Sequence, residues 1–169
     1  MIKTLTIIDE VFPKVLKTLA FIGGLSVIVM MVAILREVAG RYFFNAPSSW
    51  SIEITEHLLV SFAFLGGPYV FLMNAHVRAD VFYRNFSGKM KHVIDLLIYL
   101  LSLIYLVVLT WRCSIYSYEI FTIWARSSGG AMLPLFPAQI TVTIGGALSC
   151  IECLRKMAHS ILSIAGKEI

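Results

Sequence analysis

Four long stretches of this chain, Thr18 to Leu35, Leu58 to Ala75, Leu96 to Trp111 and Ser127 to Ile151, contain no aspartate, glutamate, lysine, arginine or histidine. A charge at the centre of a bilayer is costly, so those retained inside spans usually mark a substrate path or a proton relay. Stretches without any argue against a relay or ion path of that kind. Cysteine is nearly as scarce. Cys113, Cys150 and Cys153 give one C-x-x-C pair and no second, too few for a structural zinc site, and no βαβ pattern surrounds the pair as in a thioredoxin-like motif. All three are expected to be buried small residues. The four histidines, His57, His76, His92 and His159, sit near the ends of the apolar stretches. A haem held between membrane helices normally needs imidazoles facing each other within the bundle, so this placement disfavours one. No nucleophile motif, phosphate-binding loop or paired acid and base carboxylates appear, and Glu53 with Glu56 reads as the polar lip of a helix. The chain is read as a non-enzyme with no catalytic, metal or cofactor residues of its own.

What is present is apolar. Of 169 residues 59% are hydrophobic and 14% charged, and each stretch approaches the ~20 residues that cross hydrocarbon. The shortest, the third, is flanked by Lys91, His92, Asp95 and Arg112, which can reach the interfaces by snorkelling. The first is too long for the apolar region of a signal peptide and ends in Arg36-Glu37 instead of a small-residue cleavage site, so it is expected to be kept. The fold class is therefore an all-α integral membrane protein of one domain, residues 1–169, with spans at about 17–40, 54–77, 91–112 and 132–154. Ten of the fourteen lysines and arginines fall in the N-terminal segment, the second loop and the C-terminal segment; Arg36, Arg41, Arg112 and Arg126 fall in the other two loops. The positive-inside rule then places both termini in the cytoplasm. The net charge of +4 is spread over short segments and forms no basic face, which argues against nucleic acid as a partner.

Several local patterns refine this outline. Leu5, Ile8, Phe12, Leu16 and Leu19 recur at helical spacing, with Lys3, Asp9, Glu10, Lys14 and Lys17 largely off the stripe. That predicts a separate amphipathic helix lying in the interface, with Pro13 as its bend or joint. The third helix can extend to Trp124 through Trp111, Tyr116, Tyr118 and Phe121, a length of about 50 Å that requires it to tilt, bend or protrude. Ser127-Ser128-Gly129-Gly130 reads as a flexible turn, and Pro134 and Pro137 suit the irregular start of the fourth helix. Gly66-Gly67-Pro68 and Gly145-Gly146 are expected to mark close helix packing, the former also a kink or hinge.

The most distinctive segment runs from Gly40 to Asp80. It contains Arg41-Tyr42-Phe43-Phe44-Asn45, then Trp50 and Glu53, an apolar helix, and His76-Val77-Arg78-Ala79-Asp80. On these residues the chain resembles the DctQ family, the small membrane subunits of tripartite ATP-independent periplasmic (TRAP) transporters. The family pattern is R-Y-x-F-N leaving the first helix, a tryptophan followed by a glutamate opening the second, and H-x-R-x-D closing it. Arg41, Asn45, Trp50, Glu53, His76, Arg78 and Asp80 stand at the matching positions. The chain departs from many relatives in having Ile52 before Glu53, where an acidic residue is common, and Ala75 before His76, where glycine is common.

The resemblance implies a subunit of an importer in a bacterial or archaeal inner membrane. A periplasmic binding protein would deliver an organic anion, a large membrane subunit would move it with sodium bound in that subunit, and this chain would scaffold the large subunit. Arg41, Trp50, Glu53 and Arg126 on the outward loops then become candidates for docking the binding protein. His76, Arg78 and Asp80 become candidates for helix capping, lipid headgroup binding or contact with the large subunit. The residues alone leave two other classes open: a haem-binding or quinone-linked anchor subunit of a redox complex, and a small autonomous transporter.

Overall fold

The computed structural model describes residues 2–73 and 88–164, so His76, Arg78 and Asp80 lie outside the described residues. Among the described residues there are four helices: α1 (Ile2–Phe44), α2 (Trp50–Leu72), α3 (Gly88–Thr122) and α4 (Phe136–Ile164). Each includes a segment long and apolar enough to cross a membrane: Val11–Phe44, Trp50–Leu72, Val93–Thr122 and Phe136–Ile161. With 35 residues, α3 is about 52 Å long against ~30 Å of hydrocarbon, so it must tilt, bend or protrude. α4 starts at Phe136 with Pro137 in its first turn, where a proline costs no intrahelical hydrogen bond.

The separate interfacial helix is not observed. Residues 2–44 form one continuous helix through Pro13. The reason is visible in the spacing. The stripe of Phe12, Leu16 and Leu19 runs on in steps of three and four as Gly23, Ser26, Met30, Ala33 and Glu37, so one face serves the whole helix. Leu16, Gly23, Ser26, Met30, Ala33 and Glu37 are all buried. An average step of 3.5 is the seam of left-handed helix packing, and here its partner is α2. Gly23 lies within contact of Phe62 and Leu65, Ser26 reaches the Leu58 carbonyl, and Ser51 donates to the Ala33 carbonyl at 2.8 Å. This register is antiparallel.

Among the described residues, the extensive helix contacts are α1 with α2, α2 with α4, and α4 with α3. The helices thus stand in an open row, α1, α2, α4, α3, and do not close into a four-helix bundle. The central pair is parallel: Thr141 bonds Ser61 at 3.3 Å near the start of α4, and Lys156 Nζ donates to the Leu72 carbonyl at 3.1 Å near its end. The third helix runs antiparallel to α4, with Ser117 and Thr143 hydroxyls 3.0 Å apart and the Cys153 thiol 3.1 Å from the Tyr99 carbonyl. The two connections at 45–49 and 123–135 therefore share one rim. An open row buries little: the chain exposes 11903 Å², against ~8300 Å² for a compact soluble protein of this mass. Phe21, Ile28 and Val32 of α1 and Leu101, Tyr105 and Val108 of α3 are exposed apolar side chains suited to lipid or to another membrane subunit.

The two glycine motifs meet in the middle of this row. Pro68 is buried and has no N–H to give the Phe64 carbonyl four residues back. A Cβ at Gly145 would sit 2.1 Å from that Phe64 oxygen, so the oxygen lies within about 3.6 Å of the Gly145 Cα, the range of a Cα–H···O contact. The carbonyl that Pro68 leaves without a donor is met by the neighbouring helix. Its neighbour Gly146 faces the other way, where a Cβ would be 2.5 Å from the Thr110 hydroxyl of α3. The paired glycines let α4 approach both flanking helices. Gly67 makes only an ordinary approach to Ser149, at 4.0 Å, and a Cβ at Gly66 would meet nothing. The expected tight packing at Gly66 is therefore absent among the described residues.

Candidate functional site

The sequence-distinctive residues gather at the rim formed by the two connections, and two glutamates organise it. Glu37, one turn before Arg41, accepts from the Arg41 guanidinium at 3.1 Å and from the Ser48 backbone N–H at 3.0 Å, and bonds the Ser48 hydroxyl. This ties the end of α1 to the start of α2. The turn between them closes because Asn45 adopts a left-handed φ of 49°, a conformation asparagine tolerates better than most residues, and the Ala46 N–H reaches the Gly40 carbonyl at 3.0 Å. Pro47 follows, as is common just past a helix end. Arg41 keeps 60% of its side chain in the open. The Arg36 guanidinium lies 5.0 Å from the centre of the Trp50 ring, a cation–π contact across the same junction.

Glu53 does for the second connection what Glu37 does for the first. Only 4% exposed, it accepts from the Ala131 N–H at 2.7 Å and the Leu133 N–H at 3.3 Å, one to each carboxylate oxygen. The glycines at the loop tip permit this. A Cβ on Gly129 would stand 2.0 Å from the Glu53 carboxylate, and one on Gly130 would stand 2.6 Å from the Ser49 Cβ. The expected flexible turn is instead a fitted cap. Its stem is braced by the Ser127 N–H on the Leu133 carbonyl at 2.8 Å and the Leu135 N–H on the Ala125 carbonyl at 3.1 Å, with an isolated bridge between Arg126 and Pro134. Trp124 and Met132 hold left-handed φ values of 50° and 49°. Such backbone costs about 1–3 kcal/mol per residue and persists only where the surroundings enforce it. At Trp124 it closes α3, the Ala125 N–H reaching the Ile120 carbonyl at 3.1 Å.

His57 completes the cap. Nδ1 lies 2.8 Å from the Glu53 carbonyl, and Nε2 3.2 Å from the Pro134 carbonyl. Both ring nitrogens face backbone oxygens of this chain, which leaves neither for a haem iron. Glu53 and Glu56, paired in the sequence as one polar lip, are separated by the fold: Glu53 is buried under the loop and Glu56 is exposed.

The opposite rim carries a third buried acid. Glu152 is 0% exposed and takes a two-pronged ion pair from Arg155, with both contacts at 2.9 Å. Arg155 and Lys156, counted in the sequence with the C-terminal segment, belong to α4 and tie it to itself and to the end of α2. Hence the charge-free stretches are shorter than the spanning helices, and Glu37, Glu53 and Glu152 sit buried and partnered at their ends.

The motif at this rim, Arg41 to Asn45 followed by Trp50 and Glu53, lies within residues 30–162, which match the model of the DctQ component of tripartite ATP-independent periplasmic transporters. The chain belongs to the DctQ family. No curated protein matches it. Within this DctQ chain, Asn45 turns α1 off, Trp50 seats Arg36, and Glu53 anchors the second connection. The partners of Glu53 were not legible in the sequence, since Ala131 and Leu133 lie about eighty positions away and offer only backbone N–H groups. Ser48 and Ser51 were also missed. Their only sequence signal was a serine run before a helix, which ordinarily suggests a cap, yet the N-terminal cap of α2 makes no side-chain hydrogen bond.

Proposed function

We propose that this DctQ chain braces the large membrane subunit of a sodium-coupled importer of an organic anion, such as a dicarboxylate, sialic acid, sugar acid or sulfonate. Sodium and substrate bind the large subunit, a periplasmic binding protein delivers the substrate, and the chain resides in the inner membrane of a bacterial or archaeal cell. Both termini face the cytoplasm, which the distribution of lysine and arginine supports. The observation that carries the reading is the open row. Its buried acids are each held by partners within the chain, while broad apolar faces of α1 and α3 are left for lipid and for another membrane protein. Such a body widens and stiffens an assembly and does not enclose a cargo. For the binding protein, Arg41, Trp50 and Arg126 are the accessible docking residues at the outward rim, Glu53 being occupied by its own loop. Exposed rim charges of this kind tune association rate more than affinity.

The test is co-expression with a large multi-span subunit and a binding protein encoded beside this chain. The expected outcome is a stable complex of the two membrane subunits and sodium-dependent uptake in proteoliposomes only when both are present. Uptake by this chain alone, failure of the two to co-purify from the native membrane, or a haem Soret band in the purified chain would overturn it.

A further inference from the structure

Just inside the outward rim, α2, α3, the 123–135 connection and the first turn of α4 line an open groove of about 220 Å³. Its apolar lining includes Val60 and Ile120, and its polar lining includes Glu56, His57, Tyr116 and Gln139. The buried acids near the helix ends, Glu37, Glu53 and Glu152, are each held by hydrogen bonds or an ion pair. Glu56 has no partner among the described residues, although it stands on a helix apolar enough to span. His57 beside it cannot supply one, because both ring nitrogens are turned to backbone carbonyls. A carboxylate at the edge of the hydrocarbon, in a groove with apolar walls, favours a cationic hydrogen-bond donor.

We propose that this groove binds the headgroup of a lipid bearing a primary amine. The ammonium donates to the Glu56 carboxylate. The Gln139 amide and the Tyr116 hydroxyl supply donors for the lipid's phosphodiester, and the acyl chains leave past the partly exposed Val60. A lipid fits better than a partner's lysine because the lining belongs to the ends of three spanning helices, at headgroup depth, and has an apolar side continuous with lipid-facing surface. The proposal rests on the helices crossing a membrane and is independent of which subunit this chain braces.

Native mass spectrometry of the purified chain, titrated with phosphatidylethanolamine, its N-methylated series up to phosphatidylcholine, and phosphatidylglycerol, provides the test. Wild type should bind the primary amine on the order of tenfold more tightly than the quaternary or uncharged headgroups, which lack N–H donors for Glu56. Glu56→Gln should remove most of that preference, and Glu119→Gln, an exposed acid outside the groove lining, should keep it. The headgroup series on wild type needs no variant, so it decides the matter even if Glu56→Gln fails to fold. Equal binding across the series overturns the proposal. So does a Glu56→Gln variant that binds lipids as wild type does but loses a protein partner, which would make the groove a socket for a cationic side chain.

Discussion

Replacing Gly145 with alanine tests the central joint of the row. The new Cβ would lie 2.1 Å from the Phe64 oxygen and 2.6 Å from its carbonyl carbon, both backbone atoms that no rotamer change can move. Restoring an ordinary separation of ~3.4 Å from the oxygen requires α2 and α4 to part locally by roughly 1.3 Å, enough to forfeit a large share of the dispersion between the residues alongside. Overpacking of this kind costs about 1–3 kcal/mol, and loss of the Cα–H···O contact to a carbonyl that Pro68 cannot serve adds ~0.5–1 kcal/mol. The sum, roughly 1.5–4 kcal/mol, corresponds to a fall in Tm on the order of 3–16 °C for a chain of this size. Thermal unfolding in detergent, followed by near-ultraviolet circular dichroism and by recovery of monodisperse protein, measures it. Gly66→Ala is the internal control: its Cβ meets nothing among the described residues, so helix propensity should raise stability by about 0.5–1 kcal/mol. A Gly145→Ala protein melting with wild type, or a Gly66→Ala protein destabilised as much as Gly145→Ala, would refute the assigned geometry.

Further outcomes follow from the rims. In Glu53→Ala the amides of Ala131 and Leu133 lose their acceptors, and hydrogen exchange across 129–133 should speed by at least about tenfold with little change in the centre of α2. Gly129→Ala should reproduce that behaviour by expelling the carboxylate, and the double variant should exchange no faster than either single one, because the two changes break the same contact. At the other rim, Arg155→Ala strands the fully buried Glu152 and should cost about 2–4 kcal/mol, whereas the double change Glu152→Met with Arg155→Met should cost less than the single one. If the single and double variants lose the same stability, Glu152 is more hydrated than its burial indicates.

The local chemistry of the chain was readable in its order of residues. Long runs without ionisable groups have one economical solution, a helix that satisfies its own backbone in lipid, so the number and approximate position of the spanning helices follow from where those runs lie in the sequence. The Gly40 to Glu53 motif was also legible, because a helix stop at Asn45 and a helix start near Trp50 are local events. The status of the N-terminal stripe was not. A periodic apolar face reads the same whether it meets headgroups or another helix, and only continuation of the step through Gly23, Ser26 and Met30 onto α2 shows that no break occurs at Pro13. Ser127 to Gly130 misled for a related reason: glycine marks both freedom and close approach, and what distinguishes them is Glu53, far away in the chain.

The sequence by itself therefore determined a four-helix membrane protein, its family motif, and the absence of charge from the helix centres, all consequences of short-range physical rules. The tertiary structure alone decided that the helices form an open row, that Gly145 and Gly146 serve two different neighbours while Gly66 serves none, and that Glu37, Glu53 and Glu152 are fasteners while Glu56 is left facing a groove. Those outcomes depend on which distant backbone groups arrive opposite a side chain. Spacing along one helix names the face on which a residue stands; it does not name what stands across from it.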